Sequence, residues 1–238
     1  MKIIDAFIAL DELDMIQCRM AELADWSPVH VALEAAWTHQ GNPSEFQIGP
    51  ANIDGLFVYQ VTEVVPRDGQ FTVEWFYRDK LMEAIQEYAD PQPDDLVFIV
   101  DVDEIVRSSA VPAIIEATES GPHTLDLRLH RYSAEWVEVE RWDKNAFAAR
   151  WRDLVNEPSL SRLRNRPANE ALPIVPDAGW HLSYWGGANR LERKINTFAH
   201  DELKNMIPKA DRLVEKGINV HGSPMILWDG SDMPKGLV

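Results

Sequence analysis

Two aspartates one residue apart, Asp101 and Asp103, follow the apolar run Leu96-Val97-Phe98-Ile99-Val100. The run is too short for a helix and rich in β-branched types, so it reads as a buried strand. Strand alternation then places both carboxylates on one side, with Val102 on the other. Paired carboxylates at the carboxyl end of a central strand form a hard oxygen site, suited to Mg²⁺ or Mn²⁺ carrying a diphosphate. In an open α/β sheet the carboxyl ends of the strands are also where ligands bind. Glu104 is either a third acid at this site or points the opposite way, since alternation separates it from Asp103.

Other chemistry-bearing residues surround this pair. The chain has no Gly-x-Gly-x-x-Gly and no Walker loop, so a glycine cradle does not hold the phosphates. Arg78, in the helix before the Asp-x-Asp strand, pairs either with the site or with Glu74 or Glu83 on its own surface. His181, His200 and His221 stand near glycine or aromatic residues, and one neutral imidazole is a common addition to a site built on two carboxylates.

The elements that must position these residues follow from pattern. Ile3 to Leu10 reads as a strand. A helix with acids in its first turn follows Asp11, where the dipole favours them. Val29–Leu33 and Leu56–Val61 read as strands, and Thr38 to Pro43 as a loop. Thr72 to Ala89 is a helix ended by Pro91 and Pro93, and residues 110–118 form a short one. From His123 onward, residues 124–129 and 136–140 alternate like half-buried antiparallel strands. Residues 156–178 are Pro-rich and irregular. Gly179 to Gly187 is a strand entering a glycine turn, with helices from Asn189 to Ala199 and from Pro208 to Lys216. The order predicts an α/β fold: a mixed sheet with central parallel strands flanked by helices.

Composition narrows the function. The 238 residues are 45% hydrophobic, enough for one sizeable α/β domain. The single cysteine, Cys18, excludes an internal disulfide and a cysteine-based zinc site. No apolar run reaches the ~18 residues of a membrane span, and the N-terminus has no signal-like apolar stretch, so a cytoplasmic protein is expected. A net charge of −16 argues against general nucleic-acid binding. The charge is uneven, however: residues 121–200 hold 12 Lys/Arg against 10 Asp/Glu. Arg150, Arg152, Arg162, Arg164 and Arg166 lie close together there.

Four blocks in order resemble the glycosyltransferase family of the β-1,4-mannosyl-glycoprotein N-acetylglucosaminyltransferase. They are Asp5 to Leu23, Leu33-Glu34 with Thr38-His39-Gln40-Gly41, Asp95 to Ile105, and Gly179 to Tyr184 followed by Lys194 to His200. Asp11 and Val106 depart from the family's more usual Asn and Pro, residues 121–178 do not match, and no counterpart of the anchor and stem of the animal enzymes is expected.

The resemblance implies a single GT-A-like domain over 1–238. Residues 1–108 would form the nucleotide-sugar half and 109–238 the acceptor half. It implies an inverting transfer from a nucleotide-diphosphate sugar, UDP-linked by the resemblance, with Mn²⁺ or Mg²⁺. Asp103 would ligate the metal, Asp101 the metal or the ribose, and His181 or His200 would complete the shell. Glu34, Thr38 and Arg78 would contact the nucleotide. Glu202 and Asp177 are the candidate bases, and Trp180, Tyr184 and Trp185 the acceptor platform. The acceptor would be a glycan, or a modified nucleobase in DNA met by the arginines of 150–166. Two other classes also use such residues: a metal-dependent nucleotidyl- or phosphotransferase, and a non-catalytic carbohydrate-binding module.

Overall fold

A computed structural model describes residues 1–165 and 171–237. In chain order it has β1 (Ile3–Ala9), α1 (Leu13–Leu23), β2 (Val29–Ala35), α2 (Ile48–Ala51), β3 (Leu56–Val61), α3 (Thr72–Ala89) and β4 (Leu96–Asp101). Then come β5 (Glu104–Val106), α4 (Val111–Ala117), β6 (His123–Arg131), β7 (Trp136–Val137), β8 (Phe147–Arg150), α5 (Trp151–Leu154), α6 (Leu160–Arg164) and β9 (Ile174–Ser183). The chain closes with α7 (Ala188–Thr197), a 3-10 segment at Asp201–Lys209, α8 (Ala210–Lys216) and β10 (Ile226–Leu227).

One sheet carries these strands in the order β10-β7-β6-β8-β4-β1-β2-β3, with β9 beside β6 and β5 beside β9. The β4-β1-β2-β3 segment is parallel throughout, and β8 joins it antiparallel to β4. This is the expected α/β mixed sheet with a parallel centre. Strand β4 is apolar on both faces because both are covered. Phe98 and Val100 pack with α1 and α4 residues such as Ile16 and Ile114. Val97 and Ile99 pack with Tyr77, Leu81 and Ile85 of α3. A third, smaller core joins Tyr132 and Tyr184 to Leu191 and Ile195 of α7 and Leu213 of α8. Among the described residues no helix is long and apolar enough to cross a membrane.

Two features differ from the pattern reading. Strand β8, in the middle of the sheet, lies in the sequence Phe-Ala-Ala-Arg, whose small residues carry no β-branched signature. The irregular stretch 156–178 contains α6 and the start of β9, which pairs parallel to β6 across a register shift between Leu125 and Leu127.

Glycine is required at position 179, where β9 crosses β5. A Cβ there would lie 2.0 Å from the carbonyl oxygen of Ile105. Gly179→Ala should force the β5–β9 ladder apart at a cost of about 1–3 kcal/mol, read as a lowered urea midpoint with unchanged slope.

Candidate active site

Strand β4 ends at Asp101, so a turn and not alternation sets Asp103. Residues 102 and 103 form that turn, and β5 restarts at Glu104. A turn at a strand end leaves backbone carbonyls without ladder partners, and buried carbonyls need donors. Arg19 of α1 supplies them. Its Nη1 donates to the carbonyls of Asp101, Val102 and Glu104 at 3.0, 3.0 and 3.1 Å. Its other guanidinium atoms grip the buried Asp5 of β1, which also meets His30 Nδ1 at 2.9 Å. Burial alone would raise the Asp5 pKa, but Arg19 and His30 hold it well below the carboxylate range.

Glu104 braces the same turn from the other side. It accepts from the Asp101 amide (2.7 Å), from Trp142 Nε1 (2.6 Å) and from Arg164 through two nitrogens (2.9 and 2.7 Å). It is fully buried and not part of the cavity wall, so it is a structural acid.

A cavity of about 480 Å³ opens at the carboxyl ends of β1, β2 and β4. Its wall includes Asp101, Asp103, Arg78, Arg164, Lys194 and His181. Asp101 meets Arg78 Nη1 at 2.8 Å through one oxygen and Arg164 through the other. Asp103 meets Lys194 Nζ and, at 3.5 Å, His181 Nε2. Burial would raise both aspartates. Arg164 and Arg78 beside Asp101, and Lys194 and His181 beside Asp103, hold each far below its ordinary value. Aromatic side chains, among them Trp37, Trp75, Trp142 and Phe198, line much of the remaining wall.

The structure thus brings Asp101, Asp103, Arg78, His181, Tyr184 and His200 to one cavity, with His221 also on its wall. Glu34 is elsewhere: buried, it caps α2, accepting from the amides of Gln47, Ile48 (2.7 Å) and Gly49 (3.0 Å). Thr38 accepts from the Asn42 amide within its own loop, while its neighbours Trp37 and His39 line the cavity. Trp180 is a core residue, 2% exposed, donating to the Asp232 carbonyl and stacked under Arg107. Trp185 lies in a small adjoining hollow with Asp11 and Glu12. Asp177 is away from the cavity, among Arg107, Arg128 and Arg141. Glu202 is outside the wall but bonded to His200 Nδ1 at 2.7 Å.

The arginine run does not form a basic face. Arg150 and Arg164 are buried, and Arg152 pairs with Asp94 and Glu119. Arg162 is exposed, and Arg166 lies outside the described residues.

A divalent ion at the Asp-x-Asp pair needs free carboxylate oxygens. Both Asp101 oxygens face guanidinium groups, and Lys194 and His181 both meet Asp103 Oδ2, which leaves Oδ1 of Asp103 as the single oxygen of the pair with no cation on it among the described residues. Among the described residues no three His, Cys, Asp or Glu side chains cluster as metal ligands. This donor set does not fit the expected Mn²⁺ or Mg²⁺.

Sequence reasoning gave Lys194 and His39 no role of their own and read Arg164 as part of a basic run facing an acceptor. Lys194 is on α7, whose buried Leu191 and Ile195 set the helix face that leads its side chain to Asp103. His39 is 3.9 Å from Glu74, beside Phe198, and burial lowers its pKa. The neighbouring Gln40 donates to the carbonyls of Ile195 (2.7 Å) and Phe198 (2.9 Å), tying the β2 loop to α7.

Glycosyltransferase family 17 matches residues 1–218 of the chain. No curated protein matches it. A solved structure from Bacillus anthracis, named as a candidate glucose-1-phosphate thymidylyltransferase in complex with a sucrose, is 11% identical. That likeness has a TM-score of 0.43 and covers 85% of this chain and 96% of the other.

Arg19→Met would leave the buried Asp5 with His30 alone and the turn carbonyls without their donor, so it should cost about 3–5 kcal/mol in urea unfolding. Asp5, Asp101 and Asp103 all have lowered folded-state pKa values. The stability they contribute is therefore complete above the unfolded carboxylate value near ~4 and is lost as pH falls below it. Urea midpoints followed from neutral pH downward should hold until that region and then drop.

Proposed function

The chain belongs to glycosyltransferase family 17, and from that premise we propose an inverting transfer of a sugar from a UDP-sugar to a hydroxyl of a glycan acceptor. The observation that carries this reading is the cavity itself. Its about 480 Å³ lies at the carboxyl ends of the parallel strands, with charged groups and aromatic rings together on its wall. A volume of about 300–1,000 Å³ with a few placed polar groups is what a small-molecule donor site needs.

The acceptor oxygen attacks the anomeric carbon as the bond from that carbon to the diphosphate oxygen breaks. The electron pair leaves with the diphosphate, and the acceptor proton must go to a base. His200 is on the cavity wall, with Glu202 bonded behind it at 2.7 Å. We assign the proton to His200 Nε2. Glu202, accepting from Nδ1, orients the ring and stabilises the imidazolium, as a carboxylate does behind a catalytic histidine. Glu202 thus acts through His200. Tyr184 reaches the cavity wall, but its ring packs in the third core with Lys194 and Arg131 over it. Trp37 and His39, after β2, stand where the nucleoside would enter.

The test is release of UDP from a panel of nucleotide sugars, with acceptor glycans added, by wild type and Asp103→Ala. Turnover of one UDP-sugar, lost by at least about 100-fold in the variant, is the expected result, since the carboxylate fixes the charged groups at the leaving diphosphate. Absence of turnover and of nucleotide binding in the wild type would refute the transfer. His200→Ala should lower kcat by about 100-fold or more with KM for the donor little changed, and Glu202→Gln by less.

A further inference from the structure

Resting on the transfer reading above, we propose that the Lys194 ammonium receives the donor diphosphate in place of a divalent metal ion, so that UDP binds without one. Four observations carry this. The first is position: Lys194 Nζ lies on Asp103, the acid at which a metal ion would be sought. The second is the partner set: both oxygens of Asp101 are occupied by Arg78 and Arg164, so the second acid of the pair has none to offer an ion.

The third is charge. The whole chain carries −16, yet the cavity wall holds four cations (Arg78, Arg131, Arg164 and Lys194) against three carboxylates (Glu74, Asp101 and Asp103). Glu104 and Glu138 pair with Arg164 and Arg131 from behind, so the wall offers an anionic diphosphate individual charged donors rather than a net field. The fourth is rigidity. Lys194 lies over the ring faces of Tyr184 and Phe198, with Nζ 5.4 and 4.8 Å from their centroids. Gln40 holds the backbone just after it, at the carbonyls of Ile195 and Phe198. A cation fixed this way needs little reorganisation when charge develops on the leaving group. Asp103 then acts by holding the ammonium in place, and it keeps Lys194 protonated.

The experiment is calorimetric titration of UDP into wild type, Lys194→Ala and Lys194→Arg, each with EDTA and with Mn²⁺, with thermal melts as the folding control. Wild type should bind UDP equally well in both buffers. Lys194→Ala should bind about 10–100-fold more weakly in EDTA, the loss expected for one charged hydrogen bond to phosphate, and Lys194→Arg should recover most of it. Two results overturn the proposal while leaving sugar transfer standing: UDP binding that requires Mn²⁺, or a folded Lys194→Ala protein that binds UDP as tightly as wild type. Failure of wild type to bind UDP in either buffer overturns this proposal and the transfer reading together.

Discussion

The buried contact between Asp5 and Arg19 is the constraint on which the site depends. A carboxylate in the second layer of a parallel sheet is costly unless paired, and a guanidinium under the sheet is equally costly. Together they satisfy each other, and the remaining nitrogen of Arg19 faces the carbonyls of the turn after β4. The turn is therefore fixed by three hydrogen bonds from a single planar group that cannot lose its proton. Glu104 fixes it from the opposite side through Arg164 and Trp142. Asp101 and Asp103 owe their places to this double bracing more than to the strand that precedes them.

The charged wall is assembled from distant parts of the chain. Arg78 comes from α3, Arg164 from α6 and Lys194 from α7, while the acids come from one turn. Each acid is matched to cations before any ligand arrives. Such pairing within a partly buried cavity is the kind of preorganisation that favours charge developing on a leaving group over charge spread evenly through the substrate.

Much of the fold was legible in the sequence because its signals are local. The apolar run of β4, the periodic face of α3 with Val73, Tyr77, Leu81 and Ile85, and the second half of β9 from Gly179 all announce themselves by pattern or punctuation. Strand β8 did not, because Ala148 and Ala149 fit a crowded central position by size and leave no β signature. The acid pair and His181 were legible as chemistry. Lys194 and Arg164 were not, since a lysine on an amphipathic helix and an arginine in a basic run look like surface residues until the fold buries them. Glu34 was misread for a related reason: a lone acid after a strand faces a ligand or caps a helix, and only the backbone amides of Gln47, Ile48 and Gly49 decide which.

The tie from Gln40 to α7 has a consequence in time. It joins residues 155 and 158 positions apart, among the longest-range contacts of the chain. Closing so large a loop is entropically unfavourable and is repaid only once the intervening strands have paired. During synthesis the parallel strands and the acid turn leave the ribosome well before Lys194 does. The nascent sheet therefore carries Asp103 without its cation, and the site becomes electrically complete only when the last third of the chain folds back over the first.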